Sequence, residues 1–413
     1  MNKDKKFKKK TLKKGKLLIT NLHFWPDKSS CSAILYHVAS ELSKDIKEVE
    51  IITSKPKKFN SNFTKLELQK YNKATDLKIY RLPLLRENLK ALPRIYNSII
   101  LGLFSGYKIF IGNYEIVVAT SSPPILTAFI ISTIAKLRKI RFIYYCMDIN
   151  PEIGILTGDF KNPLLNKLMI FLDKLNCINA SPTIVHSISM KETLLRRFKR
   201  HKIEVKIINS FSVPNKSINK NKNGILTSES TNNGLQIIFA GNIGRFQGIE
   251  NIIYSFKYLV EYDDIKLTIL GEGYEKIKLK TLSKRLGCNV EFLDFISYDK
   301  AKIIIKKSDL GLVSLIPNMY KFAYPSKTMT YLEQGIPLLA MIEKESDIAL
   351  DIMKYNIGFV VPLKKHRELA NLLIKLNKNH DWKQKLKKSS LKTFEKKFSD
   401  KVIIDKWRDI IFQ

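Results

Sequence analysis

The sequence predicts an α/β protein of two Rossmann-like, doubly wound domains facing one another across a cleft, and three observations carry that prediction. From Lys16 onward, short apolar runs alternate with longer segments of helical period, the pattern of a parallel sheet covered by helices. A polar stretch from Pro214 to Gly234, rich in Asn, Ser, Lys and Gly, interrupts the alternation near the middle of the chain. The chain of 413 residues, 45% of them hydrophobic, exceeds one average domain and can fill two cores.

In the first half, strands are expected at Leu17 to Thr20, Val49 to Thr53, Lys78 to Arg81, Ile116 to Thr120, Arg141 to Cys146, Thr183 to His186 and Val205 to Ile208. Helices fill the gaps, one face being marked by Ile34, Leu35, Val38 and Leu42. The second half repeats the scheme with strands at Gln236 to Ala240, Lys266 to Leu270, Val290 to Leu293, Leu310 to Ser314, Pro337 to Met341 and Gly358 to Val361. The expected organisation is a basic arm over 1–15, a first domain over 16–212, a linker over 213–234, a second domain over 235–385 and a helical segment over 386–413 that crosses back to the first domain.

The formal net charge of +34 suits anionic partners, nucleic acid or lipid headgroups, without choosing between them, and a genome-wide lysine bias would produce the same composition. Nine lysines between Lys3 and Lys16 form a basic arm with no apolar stretch directly behind it, so it is not a secretory signal. No segment offers the roughly 20 uninterrupted apolar residues of a spanning helix. Cys31, Cys146, Cys177 and Cys288 are widely separated, and the six histidines do not cluster. Neither set points to a metal, and unpaired cysteines fit a reducing cytoplasm.

Three segments carry candidate chemistry. Gly241-Asn242-Ile243-Gly244-Arg245-Phe246-Gln247-Gly248 joins a strand to a helix. Its glycines admit close backbone approach, the helix N-terminus suits a diphosphate, and Arg245 adds a planar cation. Glycines in such a turn also occur for purely steric reasons, and the spacing is not the dinucleotide fingerprint. Gly271 and Gly273 follow the next strand and line the same rim. The third segment runs from Pro325 through Ser326, Lys327, Thr330 and Tyr331 to Gly335 and Pro337. Lys327 stands in the first turn of a helix, against the helix dipole, which suggests a phosphate contact, with a solvated lysine as the alternative.

Together these segments resemble the donor half of family 4 glycosyltransferases, enzymes of the two-domain GT-B fold, and within that family the bacterial colanic-acid and O-antigen type. The resemblance implies a retaining, metal-independent transfer without a cofactor, from a nucleotide sugar such as a UDP-sugar. Its implied donor-binding residues are Gly241, Asn242, Gly244, Arg245, Gln247, Gly248, Gly271, Gly273, Ser326, Lys327, Thr330 and Tyr331, with Arg245 and Lys327 stabilising the departing diphosphate. In the first domain, Asn21 to Asp27 resembles the opening acceptor-side loop, with Trp25, Ser29, Ser30 and, from the fourth-strand loop, Ser122 as acceptor-side residues. Met147 to Glu152 resembles an acidic loop that supplies Asp148 and Glu152 as bases or acceptor ligands; each carboxylate is equally suited to capping a helix.

Departures accompany the likeness. Many family members place glutamates where Phe322 and Thr330 stand, and threonine at 330 offers ribose hydroxyls a weaker contact. The implied acceptor is lipid-linked, in surface polysaccharide synthesis on the inner face of the plasma membrane. Residues 81–111 mix Arg81, Arg86, Lys90, Arg94 and Lys108 with many leucines and isoleucines, an interfacial surface or, from Ile95 to Phe110, a core helix. The rival readings are a UDP-sugar epimerase of the same architecture, a catalytically silent scaffold, and a nucleic-acid binder. The last lacks aromatic residues interleaved with basic ones on an exposed element, so no nucleic-acid partner is expected.

Overall fold

A computed structural model describes residues 13–27, 30–56, 75–85, 91–198, 202–212 and 234–413. Most of the basic arm, Ser29, residues 86–90 and nearly all of the expected linker lie outside the described residues. Among the described residues, thirteen strands form two sheets. The first contains β1 (Lys13–Thr20), β2 (Ile46–Ser54), β3 (Lys78–Leu82), β4 (Ile116–Thr120), β5 (Arg141–Tyr145), β6 (Thr183–Val185) and β7 (Val205–Ile207), in the order β3-β2-β1-β4-β5-β6-β7. The second contains β8 (Leu235–Ala240), β9 (Ile265–Leu270), β10 (Val290–Leu293), β11 (Leu310–Ser314), β12 (Leu338–Met341) and β13 (Gly358–Val361), in the order β10-β9-β8-β11-β12-β13. Strands β1–β5 and β8–β13 pair in parallel, as the two-sheet α/β prediction requires. Every expected strand is present, and the largest displacement is at β1, which starts at Lys13 because its pairing with β2 extends through a bulge.

Packing divides the chain into two compact units, Met1–Tyr145 with Leu172–Thr183 and Arg408–Gln413, and Cys146–Phe171 with Ile184–Trp407. In the first unit, helix Ala91–Ile111 lies close against helix Leu126–Leu137. A Cβ at Gly102 or Gly106 would come within 2.8 Å of Ile130 or 2.2 Å of Ile134, so these glycines set the close approach. The last residues of the chain are held in this unit by Arg141, which donates to the carbonyls of Ile410 and Ile411, and by Arg408, paired with Asp45 at 2.7 Å.

The second unit shows how pattern becomes packing. Leu235, Ile237 and Phe239 of β8 point into one core with Ile252, Ile253 and Phe256, while Ile238 between them enters the opposite core with Val313 and Ala340. Strands β11 and β12 are buried along their whole length, which explains their uninterrupted apolar sequences.

Candidate active site

The order of the second sheet reverses between β8 and β11, the place where open parallel sheets bind ligands beyond their strand ends. The two strands pair only at Ile237 with Leu310 and Ile238 with Gly311. Beyond that, the hydroxyl of Tyr331 accepts the Ala240 N–H at 2.8 Å, standing in for a strand partner. Tyr331 is fully buried and its ring lies on Gly311, where a Cβ would be 2.4 Å from the ring carbons. This corrects the expectation that Tyr331 touches the donor: it has no surface for a ligand and instead supports the end of β8.

The glycines divide by role. Gly271 has φ 144° and a Cβ there would be 2.0 Å from the Gly241 carbonyl oxygen; at Gly273 it would be 2.3 Å from that of Ile243. These two glycines therefore let the β9 turn lie on the β8 turn, and packing accounts for them. Gly248, at φ 61°, turns the chain into helix Ile249–Phe256, whose first turn has no side-chain cap and leaves leading N–H groups to partners outside the helix. Gly241 and Asn242 are exposed at the mouth of the turn, and Gly244 is half-buried beside the ring of Phe246.

Lys327 opens helix Lys327–Glu333, which Ser326 precedes without a side-chain capping bond. Its ammonium donates to the Oε1 of buried Gln247 at 2.9 Å, lies 3.3 Å from the ring centre of Phe239, and faces Gly241. No carboxylate among the described residues forms an ion pair with it, and burial of its head group holds its pKa well below the ordinary lysine value. Gln247 thus stands behind the lysine as its support. Arg245 turns the other way: it pairs with Asp159 at 3.0 Å, reaches Glu275 at 3.8 Å and stacks over Tyr274 at 4.3 Å.

Thr330 lies one helical turn beyond Lys327. Its Oγ1 is 3.1 Å from the Tyr298 hydroxyl, which is 2.9 Å from Ser212 Oγ; Ser212 in turn donates to Glu333 at 2.7 Å. Glu333 also pairs with the deeply buried Lys302 at 2.6 Å. None of Ser212, Tyr298, Lys302 and Glu333 was expected from the sequence, because they come from three segments far apart in the chain: Ser212 after β7, Tyr298 and Lys302 one turn apart on helix Tyr298–Lys306, and Glu333 at the end of helix Lys327–Glu333.

Asp148 is exposed to solvent, yet the protein around it withdraws enough water to raise its carboxyl to about 6. Its backbone bridges to that of Ala323. Glu152 is engaged differently from a free base: it pairs with Arg197, which also donates to the Asn150 carbonyl. In the first unit, Trp25 packs on Tyr36 with ring centres 5.9 Å apart, and its carbonyl accepts from Arg81 at 2.6 Å. The Ser122 carbonyl accepts the Leu22 N–H at 2.9 Å, tying the β1 and β4 loops together. Ser30 begins helix Ser30–Leu42, and Ser29 lies outside the described residues. Among the described residues no group of three or more His, Cys, Asp or Glu side chains could hold a metal ion.

Comparison with known proteins falls on the same segment. The family model described as glycosyl transferases group 1 matches residues 226–393. The chain is similar to a probable glycosyltransferase, WbjE, of Pseudomonas aeruginosa, 28% identical over 137 residues, which is 33% of this chain and 34% of that protein. It is also similar to a putative colanic acid biosynthesis glycosyl transferase, WcaI, of Escherichia coli, 31% identical over 100 residues, 24% of either chain. The matches thus span only a third and a quarter of the length of these relatives. Among solved structures, sucrose-phosphate synthase of Thermosynechococcus elongatus superposes with a TM-score of 0.72 at 14% identity, covering 97% of this chain and 99% of that one. HepE of Anabaena in complex with UDP superposes with a TM-score of 0.68 at 13% identity, covering 96% and 99%. The chain carries a glycosyl transferases group 1 domain over residues 226–393, within a GT-B architecture of two parallel-sheet α/β domains.

Proposed function

We propose that the protein is a retaining glycosyltransferase that moves a sugar from a nucleotide sugar, a UDP-sugar in the first instance, to a lipid-linked glycan in surface polysaccharide synthesis. The observation that carries the reading is Lys327: a half-buried ammonium with no carboxylate partner among the described residues, braced by Gln247, facing Gly241 where the second sheet reverses its strand order. A diphosphate placed there would receive the lysine and the uncapped N–H groups of helix Ile249–Phe256, and would restore the lysine's charge that burial disfavours. As the glycosidic bond breaks, negative charge grows on the leaving diphosphate, and fixed donors aimed at it lower the barrier without a metal. Arg245 contributes from the turn's outer side after exchanging Asp159 for phosphate. The UDP complex of HepE and the colanic-acid assignment of WcaI support the donor and pathway class.

The reading includes a peripheral site on an anionic membrane. Helix Ala91–Ile111 leaves Leu92, Tyr96, Ile99, Leu103, Tyr107 and Phe110 exposed at steps of three and four residues, one continuous face. At its end lie exposed Lys136, Leu137, Arg138 and Lys139, with Arg138 over the Phe110 ring at 5.5 Å. No helix among the described residues is long and apolar enough to cross a membrane. A basic, apolar face of this kind suits lying on one.

The transfer reading is tested by incubating the protein with a panel of nucleotide sugars and lipid diphosphate-sugar acceptors and following nucleotide release. Lys327→Ala is expected to lower kcat/KM by about 100-fold, and Arg245→Ala, a solvent-exposed and already paired cation, by about tenfold or less. If no donor is consumed, or if both variants turn over like the parent, the proposal fails.

A further inference from the structure

Helix Pro163–Asn179 reverses the usual amphipathic pattern of a helix that faces water. Its buried positions include Asn166, Asp173 and Asn176, and each has a partner there. The Asn166 amide donates to the Phe160 carbonyl at 3.3 Å, Asp173 accepts from the Tyr144 hydroxyl at 2.8 Å, and the Asn176 amide donates to the Ile125 carbonyl at 3.2 Å. The outward positions are apolar. Leu164, Leu168 and Phe171 are 76%, 52% and 56% exposed and follow at steps of four and three, so they share a face. Exposed Ile178 extends the row to about 20 Å. The charges on this surface have one sign: Lys161 precedes the helix, Lys167 stands within the row and Lys174 follows it, and none forms an ion pair among the described residues. The neighbouring carboxylates are engaged elsewhere, Asp159 with Arg245 and Glu152 with Arg197. A second copy of the same face would set lysine against lysine, so the pattern asks for a partner that is both apolar and anionic.

Position narrows the partner further. The loop leading into the helix carries Asp159, which is bonded to Arg245 of the glycine turn at 3.0 Å, and the residues on both sides of that loop are exposed and apolar: Ile155 and Leu156 before it, Leu164 after it. A lysine-lined apolar row that starts beside the glycine turn suits a molecule that brings a reacting hydroxyl to that turn and trails an anion and a hydrocarbon chain. We propose that the outward face of helix Pro163–Asn179 holds the hydrocarbon chain of a lipid diphosphate-sugar acceptor, with Lys161 and Lys167 on its phosphates. The inference rests on the transferase reading above and gives its acceptor a place, separate from the bilayer contact ascribed to helix Ala91–Ile111.

The test compares two acceptors with the same diphosphate-sugar head, one on a long polyprenyl chain and one on a short alkyl chain, in the same detergent. The parent protein is expected to show kcat/KM about tenfold or more higher for the long chain, the effect of burying one or two leucine-sized contacts. Leu164→Gln combined with Leu168→Gln should bring that ratio below about threefold by raising KM for the long-chain acceptor. Short-chain kcat/KM and the donor KM should keep their parental values, which also certifies folding. Lys161→Gln combined with Lys167→Gln should raise KM for both acceptors alike, since both carry the diphosphate, and leave the donor KM unchanged. A double-leucine variant that keeps the chain-length ratio overturns the proposal, as does one whose short-chain turnover and donor KM deteriorate equally, a purely structural effect. If that variant keeps the ratio but no longer floats with anionic vesicles, or turns a parental dimer into a monomer, the face belongs to a bilayer or to a second copy instead. Unchanged KM values in the lysine variant remove the phosphate contact. A parent protein that consumes no nucleotide sugar with either acceptor overturns this proposal together with the transferase reading, whereas turnover without chain-length preference overturns this proposal alone.

Discussion

Asp148 places an accessible carboxylate in surroundings that penalise its charge, and the two properties make separate demands. Its pKa of about 6 lies above the ordinary carboxyl value of 3.8, so the protonated form favours the fold. That contribution is complete below about pH 4 and is lost as pH rises through 6. Asp148→Asn, which cannot ionise, is therefore expected to raise Tm at pH 8 and leave it unchanged at pH 4. If the same carboxylate accepts the proton of the incoming hydroxyl, kcat/KM of the parent climbs through about pH 6 and that limb disappears in the asparagine variant. Thermal melts and a pH–rate profile read the two effects independently. An unchanged melting curve at pH 8 would remove the desolvation argument, and a retained limb would remove Asp148 from the chemistry. Glu152, by contrast, pairs with Arg197, which ties the acidic loop to helix Ile188–Arg197.

At the scale of elements, the end of β8 depends on a side chain from another part of the sheet. The Ala240 N–H has Tyr331 as its partner, so Tyr331→Phe leaves a donor unmatched and should cost about 1–2 kcal/mol in chemical denaturation. Because Ala240 leads directly into Gly241, the same variant should weaken nucleotide binding although residue 331 is out of the ligand's reach. A variant as stable and as tightly binding as the parent would show that the bond is dispensable. This element also marks the limit of what the sequence discloses. The strands were legible because short apolar runs alternate with longer segments of helical period; the central ones, β4, β5, β11 and β12, are buried on both faces and so carry the most continuous apolar sequences. The glycine turn and Lys327 were legible for the same local reason, as a strand-to-helix joint and a cation misplaced on a helix dipole. What could not be read was tertiary: that Tyr331 faces inward while Thr330, its neighbour, faces the network, that Gln247 braces Lys327 from 80 residues away, and that Gly271 is small on account of a carbonyl in a different turn. In helix Ala91–Ile111, Gly102 and Gly106 seat the inner face against the neighbouring helix, as the core-helix reading expects, while the outer face stays apolar and exposed, the feature on which the membrane proposal rests.

Over the whole molecule, the excess of 72 basic over 38 acidic residues creates a field that acts before any specific contact forms. A field alone would bind any polyanion, so on the proposed membrane reading it is the apolar face of helix Ala91–Ile111 that would select a membrane: Leu103 and Phe110 offer nothing to a nucleic acid backbone but can enter the headgroup boundary. The two contributions separate in a flotation experiment. The full chain should float with vesicles containing roughly a third phosphatidylglycerol and stay behind with pure phosphatidylcholine, each lysine or arginine near the surface adding about 1 kcal/mol. Raising salt from about 0.1 M to 1 M shortens the screening length from about 10 Å to 3 Å and should weaken binding at least tenfold. Leu103→Asp combined with Phe110→Asp leaves nearly all of the positive charge in place yet should abolish most of the flotation. Flotation that survives this double substitution means that charge alone holds the protein to the vesicle, and the helix face then has a different partner.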